Sequence, residues 1–306
     1  IEKTLRVKFL NIKKLNYTFG LVYLAFPFLL FFVYFNVSIL STNLSQNEKK
    51  YLEIDINFEN FRNAKYKFYT SKFNSSNNKK KILVIGDSFA GDVFNILQQY
   101  NIENKLELRT NAISYPCQFL LYLVDKEMVH PKYHKRCNKD LDYLKNNQNM
   151  RNADVIFLAI SWDKYAIEKL NPMLEIFKNN YFDGKLILVA PKDFNKKLKF
   201  FIDNKIDPIN IYEFPLLDIK KDPDNYNFML VENHLEKIKK YKVLKFSDYY
   251  CYESNPKNEI IENAISEKKC KYFDNNSNLL SYDRWHLTKA GINYFAEKID
   301  FSEYLN

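Results

Sequence analysis

From residue 79 onward, short apolar runs alternate with stretches of helical periodicity. The runs stand at 81–85 (KILVI), 105–109 (KLELR), 154–160 (DVIFLAI), 185–190 (KLILVA) and 241–246 (YKVLKF). Helical spacing of apolar positions occupies 90–100, 138–149, 163–180, 228–240 and 287–299. Near-continuous apolar strands suit a sheet covered on both faces. The alternation predicts a three-layer α/β fold around a mostly parallel five-stranded sheet. No internal repeat is present.

Upstream the pattern changes. Residues 17–40, YTFGLVYLAFPFLLFFVYFNVSIL, are 24 positions without a charge. At about 1.5 Å per residue they reach across roughly 30 Å of hydrocarbon, which predicts one transmembrane helix. Tyr17, Tyr23 and Tyr34 suit the interfaces, and membrane helices tolerate a kink such as Pro27 would give. A signal peptide fits less well, because its apolar region is shorter and no small-residue cleavage pattern follows. Lys3, Arg6, Lys8, Lys13 and Lys14 precede the span. The positive-inside rule puts this basic segment, 1–16, in the cytoplasm and everything after about residue 41 outside. Residues 41–78 are polar and Asn/Ser-rich at both ends and read as a linker or lead-in segment. The main domain is 79–306.

Composition bounds the rest. A chain of 306 residues that is 46% hydrophobic and 17% aromatic can bury a sizeable core. The net charge of +9 is dispersed along the chain. That excess suits a membrane surface or an anionic glycan, and no recognition motif accompanies it that would point to nucleic acid. Four cysteines, Cys117, Cys137, Cys251 and Cys270, are an even count on the translocated side and predict two disulfides. Three pairings are open. The sequential one closes two short loops, each contributing roughly 3 kcal/mol in the chain-entropy model. His130 and His134 lie near Cys137, but no tight Cys pair accompanies them and Pro131 interrupts a helix there, so no metal site is read.

Open α/β sheets place their sites beyond the carboxyl ends of the strands. Asp87-Ser88 follows the first apolar run, Thr110-Asn111-Ala112 the second and Ser161-Trp162-Asp163 the third. After the last comes SYDRWHLTKAG, 281–291. A serine hydroxyl needs a base, and the base needs a partner that fixes its tautomer. Asp283 and His286 are three residues apart on a loop entering a helix, which lets the carboxylate hold the imidazole. Ser88 as nucleophile, His286 as base and Asp283 as orienter form a candidate triad. The structural alternatives are plain: Asp87 and Ser88 cap the helix from 90, Asp283 makes a turn, and Thr288 caps the last helix.

GDS after the first strand with DxxH before the final helix resembles the SGNH/GDSL hydrolase superfamily, from about residue 79 to the end. More narrowly, GDSFAGD, YPCQFL with the later Cys137, LAISWDKY, and CYES…KKCKYFDNNSNLLSYDRWHLTKAG resemble the extracytoplasmic SGNH domain fused behind an acyltransferase-3 membrane O-acyltransferase. The resemblance implies a flavodoxin-like fold and an inner-membrane protein whose SGNH domain is periplasmic. It implies the sequential disulfides and transfer of an acyl group, acetyl as the expected one, to a cell-surface glycan through a serine ester. It also implies an acyltransferase-3 partner domain that uses the acyl donor, acetyl-CoA, with no cofactor bound by this segment. A chain starting at Ile1 then fits the C-terminal part of a longer protein. The alternatives are a carbohydrate O-acetyl esterase and a non-catalytic glycan-binding module. Two departures bear on the oxyanion hole: the superfamily has a Gly after the second strand and an Asn after the third, where this chain has Thr110-Asn111-Ala112 and Ser161-Trp162. The Ser88 backbone N–H remains one donor. Asn111, Ser161 and Trp162 are candidates for oxyanion or substrate contact, Trp162 being read equally as core.

Overall fold

In the computed structural model the described residues are 70–101, 103–117, 126–162, 167, 169–192, 194, 213–215, 231–253, 268–281, 283 and 285–306. The predicted membrane span at 17–40 lies outside them. Among the described residues no helix is long and apolar enough to cross a membrane.

Five parallel strands form the central sheet: β1 (Lys80–Gly86), β2 (Leu106–Ala112), β3 (Val155–Ala159), β4 (Lys185–Val189) and β6 (Lys242–Leu244), in the order β2-β1-β3-β4-β6. Each follows an apolar run read from the sequence, within two residues at most ends. The interior of β1 and all of β3 are buried, as parallel strands covered on both faces must be. A second sheet was not foreseen. It joins β5 (Glu213–Pro215), β8 (Lys268–Lys271) and β7 (Cys251–Glu253) in antiparallel pairs.

Helices cover both faces. On one, Leu83, Ile85, Ile156, Leu158 and Leu188 pack with α2 (His134–Asn146), α4 (Leu170–Tyr181) and α5 (231–237). The single helix expected over 138–149 is two: Asn147 is extended, and its Oδ1 accepts from the Asn149 N–H to start α3 (Gln148–Asn152). On the opposite face lie α1 (Ser88–Tyr100) and α6 (Lys289–Lys298), in contact with each other. The C-terminal turn adds Phe301, which meets Phe157 of β3 and Tyr100 of α1 at ring-centroid distances of 6.2 and 5.0 Å.

The lead-in chain is tied to this domain. Phe73 N–H donates to Asn149 Oδ1 at 2.9 Å, and Arg109 Nε donates to the Ser71 carbonyl at 2.9 Å. Both disulfides are the sequential ones, Cys117–Cys137 and Cys251–Cys270. Cys251 and Cys270 are direct cross-strand partners of β7 and β8, so the bond pins the register of the small sheet.

Candidate active site

The stretch that ends β1 is built by close approach. Gly86 has φ of +152°, and a Cβ there would lie 1.8 Å from the carbonyl oxygen of Ala159 at the end of β3. Only glycine lets the chain turn so tightly against its neighbour strand. Asp87 follows as the cap of α1. Its Oδ1 accepts the Phe89 N–H at 3.0 Å, while its Oδ2 accepts the Ser161 N–H at 2.9 Å. One buried carboxylate thus joins the β1 turn to the β3 turn. Burial pushes this carboxyl above its ordinary pKa, against the pull of the two N–H donors and of the charges on Lys192 and His286. Ser88, the first residue of α1, is exposed.

The second half is the loop before α6. Asp283 Oδ2 is 2.6 Å from His286 Nδ1. Its Oδ1 accepts the backbone N–H groups of Trp285 at 3.0 Å and His286 at 2.8 Å. Burial raises the Asp283 pKa, but the imidazole and the two backbone donors more than offset it and hold the carboxyl below its ordinary value. The histidine backbone is fixed as well: Ser281 Oγ donates to the His286 carbonyl at 2.6 Å. Thr288 caps α6 by accepting the Gly291 N–H at 3.0 Å. Gly291 is needed because a Cβ would lie 2.1 Å from the Leu280 carbonyl oxygen.

The two halves meet. The Leu287 N–H donates to Asp92 Oδ2 of α1 at 3.2 Å. The Phe89 ring stands 6.3 Å from the His286 ring and 6.4 Å from that of Trp285. The Ser88 turn and the Asp283–His286 loop therefore share the carboxyl edge of the sheet. The capping and turn readings hold at the same time: Asp87 is a cap, and Asp283 makes a turn with one oxygen while its other faces the imidazole.

The remaining candidates are placed differently. Trp162 is a core side chain, 6% exposed, whose Nε1–H donates to the Val189 carbonyl at 3.2 Å; it offers no surface platform for a sugar. Ser161 presents its N–H to Asp87, as above. Asn111 is buried and pairs in register with Ile85, whose side chain belongs to the core on the α2–α4 face. Partners in a parallel register share a face, so Asn111 points away from the face that carries α1. Cys137, the one cysteine near His130 and His134, is bonded to Cys117. Sequence reasoning missed Asp87 as a bridge between strands, and it missed Asp92 and Lys192 altogether. Their signal was an acid inside a helical pattern and a lysine in a loop, which ordinarily read as solvated positions.

These features define an SGNH-hydrolase-like α/β domain. Residues 57–301 match the family described as an SGNH domain fused to AT3 domains, and the chain belongs to that family. Its fold is similar to the solved periplasmic domain of a lipopolysaccharide acetyltransferase from Salmonella ser. Paratyphi A. The two share 18% identity over 86% of this chain and 98% of that one, with a TM-score of 0.54. A Streptococcus pneumonia protein assigned provisionally as a platelet activating factor is aligned over 89% of this chain and 99% of its own, at 14% identity and a TM-score of 0.40. No curated protein matches the chain.

Proposed function

We propose that this domain transfers an acyl group, acetyl as the expected one, to a hydroxyl of a cell-surface glycan, through an ester on Ser88. The observation that carries the reading is the Asp283–His286 pair, 2.6 Å apart, on a loop bonded to the helix that Ser88 begins. Family membership supports a partner acyltransferase-3 domain, which would use acetyl-CoA as donor. The fold likeness to a lipopolysaccharide acetyltransferase domain supports a surface glycan as acceptor. The disulfides support an oxidising, periplasmic setting with the membrane span at 17–40 upstream.

The chemistry is double displacement. Asp283 holds Nδ1–H, leaving Nε2 of His286 as the base. Nε2 takes the Ser88 hydroxyl proton as Oγ attacks the acyl carbonyl carbon, and the bond to the donor's leaving group breaks as that group receives the proton. A glycan hydroxyl then gives its proton to Nε2 and attacks the Ser88 ester, so that Ser88 Oγ leaves and is reprotonated. The backbone N–H of Ser88, at the start of α1, is the donor we assign to the developing oxyanion, where a helix N-terminus favours negative charge.

The test is acetyl content of the surface polysaccharide in cells carrying Ser88→Ala or His286→Ala. Both should lose acetylation while the domain stays folded. Near-normal acetylation in Ser88→Ala would reduce the serine to the first residue of a helix. Free acetate released without glycan acetylation would make the domain an esterase.

A further inference from the structure

Beside the site lies an ion pair that takes part in no step of the proposed acyl transfer. Lys192 Nζ is 2.7 Å from Asp92 Oδ2, and both side chains are 0% exposed. Lys192 lies just beyond β4. Asp92 is four residues after Ser88 in α1, and so on the same face of the helix one turn along. The ammonium stands 4.4 Å from the Phe89 ring centroid and 5.5 Å from that of Phe246. Those π-faces offset part of its lost hydration. The oxygen that meets Lys192 is also the one that accepts the Leu287 N–H at 3.2 Å.

A buried pair of this kind adds little stability over an apolar replacement. Its place in the fold indicates another use. Asp283 and Ser281 hold His286 within its own segment, and Thr288 N–H bonds back to the Leu280 carbonyl at 2.9 Å. The Leu287–Asp92 bond, by contrast, crosses to the helix that begins with Ser88. Lys192 fixes the accepting oxygen and stacks on Phe89, the residue after Ser88, whose ring stands beside His286.

We propose that Lys192 and Asp92 are positioning residues that lock the His286 loop against the Ser88 helix; the proposal rests on reading Ser88 and His286 as the reacting pair. The pair joins the β4 turn, α1 and the histidine loop at one carboxylate oxygen. Removing it lets residue 287, and with it the imidazole, move relative to Ser88. A displacement near 1 Å at such a site costs about 10²-fold in rate.

The experiment uses the full chain in detergent micelles and the double variant Asp92→Leu/Lys192→Met. Three properties are measured: the thermal midpoint, deuterium exchange of the Trp285, His286 and Thr288 amides, whose acceptors on Asp283 and Leu280 the variant leaves in place, and the rate at which a fluorophosphonate labels Ser88. The double variant should keep a midpoint near that of the parent. Those three amides should nevertheless exchange about tenfold faster or more, and Ser88 should label about 10- to 100-fold more slowly. A merely structural pair predicts parental exchange and labelling in that variant, and this result would overturn the proposal. If the double variant does not fold, Asp92→Asn/Lys192→Met, which keeps an acceptor oxygen for Leu287, is compared in the same way. Its amides should exchange faster and its Ser88 label more slowly than in the parent, and parental values would again overturn the proposal. If the parent takes up no label, the nucleophile reading fails, and the exchange rates alone decide whether the pair positions the loop.

Discussion

Asp283 holds His286 twice: Oδ2 lies 2.6 Å from Nδ1, and Oδ1 accepts the same residue's backbone N–H at 2.8 Å. Ring and main chain are thus set by one side chain. Asp283→Asn keeps the turn but presents an amide to Nδ1, which favours the tautomer carrying its proton on Nε2. Acyl transfer should fall by up to about 10⁴-fold, leaving measurable activity, because nucleophile and base both remain. Transfer rates of the variant at matched folded fraction check this.

Buried Asp87 and half-buried Asp283 respond to acid in opposite directions. Asp283 has a depressed pKa in the folded state. Its stabilisation is present above the unfolded carboxylate value, about 4, and is lost as pH falls through the folded value. Asp87 has a raised pKa, so its contribution declines as pH rises from about 4 through its folded value. Thermal midpoints against pH should therefore show Asp283→Asn less sensitive to acid than the parent below about pH 4. A parallel pair of curves would contradict the assignment.

The glycines of the two motifs are packing requirements as much as chemical ones. Gly86→Ala places a methyl 1.8 Å from the Ala159 carbonyl oxygen at a φ of +152°, and Gly291→Ala places one 2.1 Å from the Leu280 carbonyl oxygen. Each should lower stability by about 3 kcal/mol or more, from overpacking with added backbone strain at Gly86. Denaturant titration measures it.

A cross-strand disulfide supports the hairpin β7–β8. Cys251→Ser/Cys270→Ser should cost about 3 kcal/mol. Non-reducing peptide mapping should return Cys117–Cys137 and Cys251–Cys270 and no crossed product.

Asn111 lies on the sheet face away from α1. Asn111→Ala should therefore slow transfer by less than about tenfold, against the 10²- to 10³-fold loss that removal of an oxyanion donor brings. A loss in the larger range would place its amide at the oxyanion after all.

The sheet was legible because most of its strands are apolar runs between charges, β2 with Glu107 and Arg109 inside it being the exception; KILVI and DVIFLAI have no other good use than burial on two faces. The small antiparallel sheet was not, since its strands are three or four residues long and β8 reads Lys-Lys-Cys-Lys. Pairing and a disulfide set that sheet, and neither leaves a periodic trace. Within the candidate site, the Asp283–His286 pair and its place beside the helix that Ser88 begins were legible through motif and order. Trp162 was ambiguous because a tryptophan suits core and sugar surface equally, and its bond to the Val189 carbonyl decides for the core. Asp92 was illegible: an acid four residues into a helix reads as solvated until Lys192, 100 residues away, is seen to meet it in the interior.

The central claim is that Ser88 carries the acyl group. Mass spectrometry of acid-quenched chain, taken from membranes during turnover and digested with protease, tests it directly. The account predicts one acyl ester on the peptide containing Ser88, absent in Ser88→Ala and accumulating when acceptor glycan is withheld. Continued glycan acylation with no ester at Ser88, or with the acyl group on another residue, would contradict it.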